Sequence, residues 1–138
     1  MNKLHYFFLA IASLFLASCS SDDVTAEDWV GSYTGTLTQT EKILMTGETE
    51  TFEAEVTIVI TAGADDETII MTLVGEGTTL KIDGDKADLS NLNDEDYTDS
   101  EGELVRDGAT ITLDWKGTYL DDGEPYSEDT ASGTFTKQ

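Results

Sequence analysis

Cys19 is the one thiol in the chain and His5 the one imidazole. Leu16-Ala17-Ser18 stands directly before the thiol: an aliphatic residue, then two small ones. Small side chains let a peptidase hold the backbone closely, and the thiol that follows is a ready lipid acceptor. Upstream, Met1-Asn2-Lys3 carries one positive charge and no acid, and Tyr6 to Leu16 is apolar or small apart from Ser13. These are the n- and h-regions of a secretory signal. The run is too short to cross a bilayer, which takes roughly 20 apolar residues. The expected cleavage before Cys19 removes residues 1–18 and leaves 19–138, a length that suits one domain.

His5 is expected to leave with that signal, and Cys19 is the expected lipid acceptor. The expected processed chain therefore has no imidazole and no free thiol. Ser–His–Asp and Cys–His catalysis need those groups, as do His/Cys zinc and copper sites and redox-active cysteine pairs. Carboxylates, Arg106, a few lysines and the tyrosines remain. Paired carboxylates can cleave glycosides as acid and base, but a chain with 29 acidic residues offers such pairs by chance. No enzymatic activity, cofactor or metal is expected.

Against those 29 acids stand seven Lys and Arg, a formal net charge of −22 that becomes −23 once Lys3 is lost. Such a field repels nucleic acid and anionic headgroups, so nucleic acid is not an expected partner. It favours solubility and allows a cationic partner.

Leu16-Ala17-Ser18-Cys19 is the lipobox pattern of bacterial lipoproteins. It implies attachment to a membrane through acyl chains on Cys19, each buried methylene contributing about 0.8 kcal/mol. Ser20-Ser21-Asp22-Asp23 follows. A serine-then-acidic cluster there resembles the export signal of Bacteroidetes surface lipoproteins, which implies an outer-membrane protein on the cell surface. Residues 19–28 are then a lipidated acidic tether and 29–138 the folded domain.

The elements that must position any site are strands. Phe52, Ala54, Val56, Ile58 and Ile60 alternate with Glu53, Glu55, Thr57 and Val59. Ile111, Leu113 and Trp115 alternate likewise with Thr112 and Asp114, as do Tyr33, Gly35 and Leu37 with Thr34 and Thr36, and Gly133 and Phe135 with Ser132 and Thr134. A period of two marks half-buried strands. Thr68 to Val74 is apolar on both faces, as if covered on both sides. Turns are expected at 62–66, at Gly75-Glu76-Gly77, at Asp83-Gly84-Asp85, at Asp107-Gly108 and, longer, over 120–125. Asn93 to Ser100 reads as a loop or one short helical turn. The spacing predicts an all-β domain of about eight antiparallel strands, a small meander barrel or, alternatively, a two-sheet sandwich.

Gly35-Thr36-Leu37, Gly117-Thr118-Tyr119 and Gly133-Thr134-Phe135 share a Gly-Thr-hydrophobic pattern, as glycines at strand bends do. Trp29-Val30-Gly31-Ser32-Tyr33-Thr34-Gly35 resembles the first strand of calycin-like (lipocalin-like) barrels found in Bacteroidetes lipoproteins, and Ala131 to Thr136 is similar to the last strand of that family. The resemblance covers the two ends of the domain and implies a meander barrel with a non-enzymatic role.

Trp29, Tyr33, Trp115 and Tyr119 are the candidate ligand-binding residues: they line a cavity or sugar-stacking platform, or else form core, since 115 and 119 share a strand face with Ile111 and Leu113. Asp83, Asp85, Asp88 and the Asn93-Asp94-Glu95-Asp96 run carry oxygen atoms suited to calcium, but their spacing is not that of an EF-hand, and solvated loops are the expectation. Asp121, Asp122, Glu124, Glu128 and Asp129 are expected to form a second solvated acidic patch. The expected function is a membrane-anchored binding module for a small molecule, glycan or protein. The alternative is an acidic interaction or inhibitor protein docking on a basic partner or an outer-membrane complex.

Overall fold

A short helix, α1 (Ala26–Trp29), leads into eight strands: β1 (Gly31–Ile43), β2 (Thr49–Ala62), β3 (Thr68–Leu73), β4 (Glu76–Asp83), β5 (Lys86–Asp88), β6 (Tyr97–Asp107), β7 (Thr110–Asp121) and β8 (Glu124–Lys137). The computed structural model describes residues 23–92 and 95–138. Cys19, Ser20, Ser21, Asp22, Asn93 and Asp94 lie outside the described residues. Each strand pairs antiparallel with the next, and β8 returns to β1 to close the barrel. The barrel, not the two-sheet sandwich, is the architecture.

Closure runs along almost the whole of β1, from Tyr33↔Lys137 to Ile43↔Ser127. Alternation then decides which side chains meet inside. Tyr33, Leu37, Ile58, Ile60, Ile69, Met71, Leu80, Leu104, Ile111, Leu113 and Phe135 are all buried in one core. The outer face carries Thr and acids; Thr34 and Thr57 touch across β1 and β2 at 3.1 Å, and Thr40 and Thr51 at 3.2 Å. Such cross-strand pairs contribute a few tenths of a kcal/mol each, roughly 0.2–1.

The shared Gly-Thr pattern has a steric cause. A Cβ at Gly35 would meet the Cα of Phe135 at 3.0 Å and the Thr134 carbonyl closer still; one at Gly133 would meet the Phe135 ring at 2.9 Å. β1 and β8 approach this closely only because both positions are bare. A Cβ at Gly117 would strike the Trp115 indole at 2.8 Å, so that glycine makes room for a ring.

α1 plugs one end. Thr25 donates from its N–H to the Asp28 carboxylate at 2.8 Å, a capping interaction that starts the turn and holds the Asp28 carboxyl below the usual carboxylate range. Ala26 is buried and its N–H donates to the Asp66 carbonyl at 3.1 Å, so the folded unit begins before Trp29. Trp29 is fully buried, with its Nε1–H donating to the Gly84 carbonyl at 3.2 Å, and the Tyr33 hydroxyl donates to the Trp29 carbonyl at 2.8 Å.

Several local expectations shift. The Leu120–Pro125 turn is tight, Asp122-Gly123 only, with a register shift at Tyr119/Leu120 absorbing the extra residue. The β3–β4 turn lies one residue early, at Val74-Gly75, with Glu76 and Gly77 already in β4. Tyr97 to Ser100 belongs to strand rather than loop: Tyr97 and Thr98 pair with β7, and Asp99 and Ser100 form a bulge before pairing resumes at Glu101. In β3 only Ile69 and Met71 are buried; Ile70 is half-buried, so the outer side is not sealed.

Candidate ligand site at the open end of the barrel

Strand lengths make the two ends unequal. β3, β4 and β5 have 6, 8 and 3 residues, whereas β1, β2, β6, β7 and β8 have 11 to 14. The long five rise past the short three as a curled wall with one side missing. Phe52 and Ala54, which alternation aims inward, are exposed there, Phe52 at 55%.

Aromatic rings climb this wall. Trp115 is buried and meets Tyr97 edge-on, centroids 5.1 Å apart; Tyr97 lies 5.5 Å from Tyr119, and Tyr119 6.2 Å from Tyr126. A recess of about 300 Å³ lies between Gln39, Glu41, Phe52, Tyr97, Tyr119 and Asp129. Asp129 is fixed: its Oδ2 accepts from the Tyr97 hydroxyl at 2.7 Å, and its Oδ1 from the buried Ser127 hydroxyl at 2.8 Å. Burial, and then the hydrogen bond to Asp129 and its charge, push the Tyr97 phenol well above its ordinary range.

Below Tyr97, β6 carries a bulge. Thr98 pairs with Thr118 and Glu101 with Lys116, leaving Asp99 and Ser100 opposite Gly117, with Asp99 at φ 54°. The Ser100 hydroxyl and the Trp115 indole N–H are both buried without a partner among the described residues, and the Ser100 hydroxyl and the Cζ2–Cη2 edge of the indole lie against Gly117. Buried polar groups are nearly always satisfied in native proteins, and the exceptions call for an explanation.

The structure divides the four candidate residues into two pairs. Trp29 and Tyr33 sit in the sealed end with their polar atoms satisfied by backbone. Trp115 and Tyr119 stand at the open end, joined by Tyr97 and Tyr126. Asp129 is no member of a solvated patch: it is half-buried inside the mouth, whereas Asp121, Asp122, Glu124 and Glu128 are exposed. Parity along β8 places it there, since 135, 133, 131 and 129 share one face. Tyr97 had no such signal, because a bulge separates it from the inward run of β6.

A larger but shallow groove of about 530 Å³ crosses the outside of β5–β7 at Asp88, Glu101, Glu103, Asp114 and Lys116. It offers exposed charge without rings or buried polar atoms, so the mouth is the better site. Among the described residues no group of three His, Cys, Asp or Glu is placed to hold a metal ion, and no helix is long and apolar enough to cross a membrane. The fold and mouth define an eight-stranded antiparallel barrel with one plugged and one open end. Neither the protein-family models nor the curated proteins compared with the chain match it.

Proposed function

We propose that this protein is a non-enzymatic binding module, tethered to the outer membrane through lipid on Cys19 and facing outward, whose open end takes a small ring-bearing ligand of the glycan type. The observation that carries the reading is the pairing of an aromatic ladder with a fixed acceptor: Tyr97, Tyr119 and Tyr126 beside an Asp129 held by two hydroxyls. Aromatic faces cover the apolar faces of a sugar ring. Carboxylate and amide groups of Asp129, Glu41 and Gln39 bind its hydroxyls.

The chemistry present favours binding over turnover. The described residues offer no imidazole or thiol, and both Asp129 oxygens already accept hydrogen bonds.

Titration with a glycan panel, followed by tryptophan emission, tests the reading. Saturable quenching is expected from at least one glycan, lost in Trp115→Phe and weakened at least about tenfold in Tyr119→Ala, the loss of roughly 1.4 kcal/mol. A panel without any saturable response, or a response that survives both changes, overturns it. Labelling of intact cells with an impermeant reagent tests the outward orientation, and metabolic incorporation of a fatty acid tests Cys19.

A further inference from the structure

A second surface, which shares Phe52 with the mouth but is built on backbone groups, lies along the missing wall. β2 pairs with β1 from Thr49 to Ile60 but with β3 only from Ile58↔Leu73 onward, which leaves one edge of Thr49–Thr57 without a neighbour among the described residues. The Gly63 N–H donates to the Thr68 carbonyl at 2.8 Å, in the register that pairs β2 with β3. Antiparallel alternation then turns the odd-numbered backbone groups of β2 toward that side. Beyond β3 the N–H and C=O groups of Thr51, Glu53, Glu55 and Thr57 therefore face open space. Unpaired edges of this kind template added strands unless they are blocked.

We propose that this edge of β2 docks an extended protein segment in which Lys or Arg alternates with apolar residues, bound by strand addition. Side-chain chemistry on the two faces selects the occupant. On the inner face Phe52 and Ala54 are exposed and Val56 half-buried, a row of apolar positions short of cover. On the outer face Glu53 and Glu55 are exposed, and neither forms an ion pair among the described residues. An added strand must present apolar groups inward and cations outward to match both. A second copy of β2 would set Glu53 and Glu55 against the same carboxylates, so like-charge repulsion excludes self-pairing.

The β3–β4 tip marks where the added strand would begin. Extending the β2–β3 register by one residue sets Val74 opposite Thr57. Val74 is 86% exposed and holds φ 52°. A β-branched residue is a steric outlier in that region, where Asn or Gly fits. At that exposure no packing among the described residues accounts for Val there, whereas an apolar residue at the foot of the edge extends the apolar surface offered to an incoming strand.

The test uses the intact protein and the peptide acetyl-Lys-Val-Lys-Val-Lys-Val-Lys-amide. Saturable binding that weakens with salt is expected, together with slowed amide exchange at Thr51, Glu53 and Glu55. In antiparallel addition, the direction β3 already takes along β2, the residues opposite Glu53 and Glu55 form the hydrogen-bonded pairs, so the Lys N–H groups face β2 and the Val N–H groups do not. N-methylation of the Lys residues should therefore cost at least tenfold in affinity, and N-methylation of the Val residues little. Glu53→Pro, which removes an edge-facing N–H and leaves the β1 ladder intact, should reproduce the loss, and Glu53→Gln with Glu55→Gln should flatten the salt dependence. Equal binding of the two methylated peptides, or equal binding of a Glu-Val counterpart, overturns the proposal. So does self-association of the protein that Glu53→Pro abolishes.

Discussion

The Tyr97 hydroxyl donates to Asp129 at 2.7 Å, bridging β6 to β8 across the intervening β7 and setting the shape of the open mouth. Burial and the neighbouring carboxylate hold the phenol protonated well above its ordinary value of 10.0. The sign follows from linkage: a raised folded-state value stabilises fully below the unfolded value and is lost as pH rises through the folded one. The wild type is therefore expected to lose stability as pH climbs past about 10, and Tyr97→Phe to show a shallower alkaline decline. Urea midpoints across the alkaline range, read beside phenolate absorbance, check it; the variant should also lose one late-ionising phenol, while Tyr33, raised by burial, keeps its own.

The sealed end should be the more sensitive to truncation. Tyr33→Phe removes only the hydrogen bond to the Trp29 carbonyl and is expected to cost about 1 kcal/mol. Trp29→Ala empties the plug and is expected to cost about 3–5 kcal/mol. Urea unfolding measures both, with unchanged slope confirming that the unfolded state is not the cause.

Close approach of β1 and β8 makes Gly35 intolerant of a methyl group. Gly35→Ala places a Cβ 3.0 Å from the Cα of Phe135, and a loss of about 2–3 kcal/mol is expected from the forced backbone shift. Thr36→Ala, one residue along and exposed, is the control at about 0.5 kcal/mol or less. Equal effects in the two variants would show that contact between the strands is looser than described.

Val74→Asn should stabilise the protein. The residue stands at φ 52° beside Gly75 at φ 88°, the conformation of a two-residue hairpin turn that Asn-Gly adopts readily. A gain of about 1 kcal/mol is expected, since a left-handed conformation costs an ordinary L-residue roughly 1–2 kcal/mol. Thermal unfolding checks it, and the same variant should bind the Lys-Val peptide less tightly.

Period-two alternation makes the strands legible, because every buried residue of β7 sits on one parity, as do both buried residues of β2, Ile58 and Ile60. The Asp107-Gly108 signal locates the β6–β7 hairpin to within one residue for the same local reason: Asp107 still pairs with Thr110, and the turn itself is Gly108-Ala109. Turns were misplaced where tertiary pairing overrode local preference. The Val74-Gly75 turn was hidden by a valine that turn chemistry disfavours, and Tyr97–Ser100 by acids that strand propensity disfavours. The open mouth is half legible in the sequence. Trp115 and Tyr119 stood out as aromatics on one face, but Asp129 read as one more acid in a charged stretch, and the bulge at Asp99/Ser100 concealed the parity that places Tyr97 beside it.

What the sequence determined by itself is local: the expected lipid address at Cys19, the absence of imidazole and thiol from the expected processed chain, the acidic balance, and the alternation that makes an all-β domain. These follow from residue identity and from a side-chain period set by strand geometry. Only the tertiary structure decided that the sheet closes through β1 and β8, that α1 seals one end around Trp29, and that three short strands leave the other end and the β2 edge open. The reason is physical: closure, register and strand shortfall depend on pairings between residues far apart in the chain, and no local pattern specifies which distant strand a given edge will meet.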